Sequence, residues 1–267
     1  MQRLHGGISL LCVSELPPGS GMGGSSVIAA AALQCLGELL GCPVSRTELV
    51  GLVSQVEQIL TSGGGWQDQV GAIFGGFKVA RSTATLPLTV SVEECTDIPQ
   101  AFKTVFEDRV CLVYTGQQRL ARNTLINALR KNALSPVLSP ATETTTKAAA
   151  TVAALISGSE EAWSLLTGLT QPQPYWELKV EMARGSEPPA MRSLLQQLRP
   201  LCCGMSLCGA GAGGFAVLIL KQQHTLQDVH TLVQSIITMK EDSNRDKLND
   251  SNFILSVHTV KIDEIGI

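Results

Sequence analysis

Between Glu15 and Ser26 the chain reads ELPPGSGMGGSS, and it passes without spare residues into SSVIAAAALQCLGELLG. Prolines followed by closely spaced glycines define a tight turn. The alanine-rich run after them is a helix whose apolar residues wrap most of its circumference, with Gly41 placed to end it. Such a helix is expected to be buried. Upstream, GISLLCVS at residues 7–14 predicts a strand feeding the turn, although so short an apolar run also fits a buried helical turn.

The glycine stretch admits three readings besides a simple turn. A flexible linker would not be stitched directly between an apolar strand and a helix. The dinucleotide pattern G-x-G-x-x-G is met by Gly19, Gly21 and Gly24, and again by Gly209, Gly211 and Gly214. A nucleotide-binding β-α-β unit, however, needs a strand after the first helix. Here a second helix follows the first match, and the strand-like FAVLIL follows the second. A P-loop requires Lys after the last glycine, where this chain has Ser25 and Ser26. What remains is a glycine turn whose backbone N–H groups converge on an anion at a helix N-terminus, with phosphate the natural guest. Ser25 and Ser26 either cap the helix or bond phosphate and ligate Mg²⁺, and both can hold at once.

Ser45 and Glu48 form a capping box for a second helix, with Leu49, Leu52, Val53, Val56 and Leu60 as its apolar stripe. TSGGG at 61–65 stops it. WQDQVGAIFGGFKVARST then reads as a loop turning into an extended hairpin-like region, continued by the strand LPLTVSVEEC. Residues 96–107 are a candidate boundary before the strand DRVCLVYTG. Helices are expected at 117–132, 141–156, 160–181 and 188–199, then a strand, glycine turn and strand in MSLCGAGAGGFAVLIL. A helix near 225–239, a solvated loop KEDSNRDKLNDSN and a last strand NFILSVHTVKI complete a β-α-β-like unit.

Composition removes several classes of function. With 44% hydrophobic residues the chain can bury a sizeable core, and a net charge of -3, spread without blocks, offers no footprint for nucleic acid or anionic membrane. The ligand is expected to be small. No run approaches the ~20 apolar residues of a membrane span. The eight cysteines form no C-x-x-C pair and read as reduced core thiols of a cytosolic protein.

PPGSGMGGSS resembles the ATP-binding motif of the galactokinase, homoserine kinase, mevalonate kinase and phosphomevalonate kinase (GHMP) superfamily, with Met22 in place of the usual Leu and Gly24 at a small-residue position. GGGWQDQVG at 63–71 resembles the family's catalytic-aspartate segment, and CGAGAGGF at 208–215 its C-terminal glycine motif. Together with YTGQQRLARN, these segments look most like the kinase region of L-fucokinases, with bacterial heptose 7-phosphate 1-kinases as rivals. The resemblance implies an α+β, two-lobed fold: an ATP-binding lobe at residues 1–103 and a ferredoxin-like C-terminal lobe at 104–267. Members carry a sugar-binding motif and further strands ahead of the ATP motif, so the first lobe is expected to be incomplete.

It also implies ATP and Mg²⁺ as cofactors and a sugar as the partner, phosphorylated at its anomeric hydroxyl. Pro18, Gly19, Ser20, Gly21, Met22, Gly23, Gly24, Ser25 and Ser26 would hold the phosphates, Ser26 and Glu57 the metal, and Asp68 the sugar proton. Gly65, Trp66, Gly209, Gly211, Gly213, Gly214, Arg119 and Arg122 would line the substrate cleft. Taken without the resemblance, Asp68 also fits a turn former, Glu57 a surface residue, the late glycines a tight β-turn, and the arginines a solvated helix start. An inactive binding or regulatory fragment of such a kinase is the alternative.

Overall fold

The computed structural model describes residues 6–60, 65–83, 87–117, 180, 181, 185–244 and 254–267. The helices expected at 117–132 and 141–156 and most of the one at 160–181, with Arg119 and Arg122, lie outside the described residues. Two compact units are present: residues 1–17, 22–97 and 262–267 in the first, 18–21 and 98–261 in the second. The lobes expected from the sequence are contiguous, whereas these units exchange segments. Residues 18–21 join the second because the Phe215 N–H donates to the Ser20 carbonyl (2.8 Å). The last six residues join the first because the Ile267 N–H donates to the Ile73 carbonyl (3.2 Å).

The first unit begins with α1 (Gly24–Leu39) and α2 (Arg46–Ile59). Gly41, with φ +63°, lies just beyond the end of α1. Contrary to expectation α1 is buried on one face only: Ser26, Ala30 and Gly37 are inside, while Val27 and Leu39 are exposed. Alanine can sit on either side of an interface, so its abundance did not report burial. The capping box of α2 forms, with the Glu48 N–H donating to Ser45 Oγ (3.3 Å) and the Ser45 N–H to Glu48 Oε2 (3.0 Å). The buried stripe of α2 is Leu49, Val50, Val53 and Glu57, rotated from the expected one, and Leu52 and Leu60 face out.

Residues read as loop after the glycines instead form a short helix, α3 (Gln67–Ile73). Its buried face is Gln69, Val70 and Ile73. β1 (Phe77–Ser82) and β2 (Val90–Cys95) then pair antiparallel, from Phe77 opposite Cys95 to Ser82 opposite Val90. Ala30, Leu49, Val53, Val70, Ile73, Phe74 and Val90 form the core of this unit. GISLLCVS is unpaired here and exposes Leu11 and Val13. An apolar run becomes a strand only where a ladder accepts its N–H and C=O groups, and none of the described strands does so.

The second unit holds α4 (Gln100–Arg109), β3 (Val110–Tyr114), α5 (Pro189–Leu198), a 3₁₀ turn at Arg199–Leu201, β4 (Cys202–Leu207), β5 (Phe215–Leu220), α6 (Leu226–Asn244) and β6 (Ser256–Thr259). The sheet order is β4-β5-β3-β6, all pairs antiparallel. With α5 leading into β4 and α6 joining β5 to β6, this is the ferredoxin-like arrangement anticipated. Met191, Leu194 and Leu198 of α5, Val229 and Val233 of α6 and Leu218 and Leu220 of β5 make its core.

The thiols divide against expectation. Cys111 and Cys202 are buried, while Cys12, Cys35 and Cys42 are exposed. Burial pushes the Cys111 thiol up to about 11 and the Cys202 thiol up to about 12, so neither supplies thiolate near neutral pH. Alkylation of the native chain at pH 8, read by mass spectrometry, is therefore expected to modify Cys12, Cys35 and Cys42 first. Cys111 and Cys202 should react only after unfolding.

Candidate active site

The first unit gathers three helix ends. Gly23, the residue before α1, has φ +67° and contributes no side-chain cap, so the opening N–H groups of α1 have no partner within their own helix. The reading of Ser25 or Ser26 as helix caps therefore fails. Both hydroxyls instead donate to Glu57 Oε1, from Ser25 at 2.9 Å and from Ser26 at 2.8 Å. Glu57 sits in the last turn of α2 and is only 7% exposed. Its other oxygen, Oε2, accepts from Gln69 Nε2 on α3. A negative side chain near a helix C-terminus is opposed by the helix dipole. Three donors on α1 and α3 offset that opposition.

Asp68 lies in the first turn of α3, where the dipole favours a carboxylate. It packs against Gly23: a methyl group on that glycine would stand 3.3 Å from the Asp68 Cβ. The absent side chain thus lets an exposed aspartate approach the N-terminus of α1. Gly65 precedes α3, and Trp66 packs partly buried against the core of this unit.

Glu57 and the serine hydroxyls are hard oxygen donors. Their 2.8 and 2.9 Å separations also suit adjacent corners of a Mg²⁺ octahedron, in which ligands at ~2.0–2.1 Å lie about 2.9 Å apart. Among the described residues no group of three or more His, Cys, Asp or Glu could hold a metal. Such a site fits Mg²⁺, which takes few protein ligands beside substrate phosphates, better than Zn²⁺.

Within the second unit the late glycines act as a backbone junction. Gly214, at φ +76°, leaves no room for a side chain against the Ser20 carbonyl. Its N–H donates to the Gln117 carbonyl (2.8 Å), and its own carbonyl accepts from the Thr115 N–H (2.9 Å) and Oγ1 (2.8 Å). Gly213 is closed in by Gln117, and Gly211 by Ser186. Gly209 and Ala212 also take positive φ. Pro18, Gly19, Ser20 and Gly21 share this unit with the junction, and Ser20 is buried.

The sequence pattern alone does not single out Gln69, because its glycine-flanked segment reads as loop. A glutamine on the face that carries Val70 and Ile73 is the signal that would have found it. Ser25 was expected at phosphate, and it shares the Glu57 oxygen with Ser26 as well.

This fold is shared with solved mevalonate kinases and a galactokinase. Residues 1–76 match the family model described as GHMP kinases N terminal domain. The chain is 29% identical over 226 residues to the L-fucokinase/L-fucose-1-P guanylyltransferase of Bacteroides fragilis, a match covering 80% of this chain and 22% of that protein. It is 28% identical over 228 residues to the bifunctional fucokinase/GDP-fucose pyrophosphorylase of Arabidopsis thaliana, covering 84% and 21%. A shorter match, 40% identical over 70 residues, is to a D-glycero-alpha-D-manno-heptose 7-phosphate kinase of Campylobacter jejuni, covering 26% and 21%. The chain thus spans about a fifth of the fucokinases it matches, at 22% and 21% of their lengths. Among solved structures, Lactococcus lactis galactokinase complexed with galactose superposes with a TM-score of 0.59 at 15% identity, covering 94% of this chain and 68% of that one. L. major mevalonate kinase in complex with R-mevalonate gives 0.57 at 16% identity, covering 92% and 67%. Both likenesses are of fold.

Substituting Gly214 tests the junction. Gly214→Ala should cost at least ~1–3 kcal/mol from the positive φ alone, before the overlap with the Ser20 carbonyl is counted. Gly24→Ala, a site with open space around it, should leave stability nearly unchanged. Urea unfolding of both variants measures the difference.

Proposed function

We propose that this chain carries the catalytic machinery of an ATP-dependent sugar kinase acting on the anomeric hydroxyl of L-fucose. The observation that carries the proposal is Asp68 packed on Gly23 at the opening of α1, one helix away from the buried pair of Glu57 and Ser26. Transfer of a phosphoryl group demands positioning and charge stabilisation more than covalent chemistry. In this reading the N–H groups of Gly24, Ser25 and Ser26, which have no partner within their own helix, and the positive end of α1 bind phosphate oxygens of ATP. Glu57 and Ser26 would hold Mg²⁺, which supplies a positive charge shared by the phosphate oxygens. Asp68 accepts the proton of the sugar hydroxyl as its oxygen bonds to the γ-phosphorus and the bond to the β-phosphate oxygen breaks, releasing ADP. Pro18, Gly19, Ser20, Gly21 and Met22 complete the phosphate loop. The late glycines, Gly65, Trp66, Arg119 and Arg122 are proposed on the substrate side.

The fucokinase matches, which extend over most of the chain, support L-fucose. The heptose kinase match favours a second reading, in which the acceptor is a heptose 7-phosphate. A substrate panel with and without a 7-phosphate separates the two, since only the second pocket must balance a dianion.

Asp68→Asn is expected to lower kcat roughly 10²–10⁴-fold, the usual worth of a general base. Near-native turnover in a steady-state assay would remove Asp68 from that role. Glu57→Gln is expected to raise the Mg²⁺ concentration needed for half-maximal rate. An unchanged Mg²⁺ titration would remove Glu57 from the metal site.

A further inference from the structure

We infer that Gln69 is a positioning residue that fixes which oxygen of Glu57 meets the Ser25 and Ser26 hydroxyls, an inference that rests on the sugar-kinase reading of this site. Gln69 is 1% exposed. Its Nε2 donates to Glu57 Oε2, while its Oε1 is sealed from solvent with no hydrogen-bond partner among the described residues. The amide cannot turn over to relieve that oxygen, because its carbonyl would then face a carboxylate oxygen.

A buried acceptor left without a donor is unfavourable. A methionine would occupy much the same volume without that penalty, so a purely structural position gains nothing from glutamine. What glutamine supplies is the N–H donor. With Oε2 held, the carboxylate cannot swivel, and Oε1 stays against both serine hydroxyls.

The place of Gln69 in the chain adds a second effect. It follows Asp68 in the first turn of α3, so one rigid turn sets the proposed base against Gly23 and also anchors the proposed metal carboxylate.

The test uses residues 1–267, with Mn²⁺ in place of Mg²⁺ and a non-hydrolysable ATP analogue, binding being read by electron paramagnetic resonance. Gln69→Met should weaken Mn²⁺ affinity at least tenfold. Glu57→Gln should weaken it at least as much, and the double variant should be no worse than Glu57→Gln alone. Gln69→Asn, which keeps the amide but falls one methylene short, should behave like Gln69→Met and serves if the latter does not fold. Affinity within twofold of wild type for either Gln69 variant overturns the inference. If the binding pattern holds but the wild-type chain phosphorylates no sugar, the proposed function falls and the positioning role stands. No Mn²⁺ binding by the wild-type chain overturns both.

Discussion

A carboxylate gives up several kcal/mol of hydration on burial unless donors replace the lost water, and Glu57 is buried in the last turn of a helix whose dipole works against it. The three donors that reach it come from two other helices, α1 and α3. One side chain therefore sets how three helix ends meet. The apolar contacts among Ala30, Val53 and Val70 hold those helices together, but apolar packing is non-directional. The hydrogen bonds fix their rotation, and that rotation presents the opening of α1 beside Asp68.

In the second unit the same need for close approach is met without charge. Gly214 exchanges backbone hydrogen bonds with Thr115 and Gln117, both in the segment after β3, while standing against the carbonyl of Ser20 in a second segment. Side chains are absent where main chains must meet. The first part of the glycine stretch is therefore anchored through the Ser20 carbonyl, and the part from Met22 on belongs to the unit that carries Asp68 and Glu57.

Much of this was legible in the residues because the signals were local. The capping box, Gly41 after α1, and the alternation of strand, glycine turn and strand at 202–220 each depend on neighbours in sequence. The misses share a different cause. α3 is only seven residues long, and glycines on both sides concealed its period. Which face of α1 and α2 is buried, and which cysteines are inside, depend on partners far away in the chain. So does the fate of GISLLCVS, whose composition suits a strand but whose pairing is not encoded in its own residues. At the site, Asp68, Glu57 and Ser26 were reached through the family resemblance. The carboxylate's link to Gln69 needed the helix that sequence periodicity did not reveal.

The six residues from Ile262 to Ile267 complete the first unit, with the Gly76 N–H bonded to the Asp263 carbonyl and Arg46 Nη2 to that of Ile265. On the ribosome, most of that unit emerges early and then waits for its final piece while the whole of the other is being made. At ~5–20 residues per second, the wait is roughly ten to thirty seconds. Until residues 262–267 have been made, Ile73 and Gly76 lack these backbone partners, so nascent chains halted before that point carry an unfinished first unit however well the second has folded.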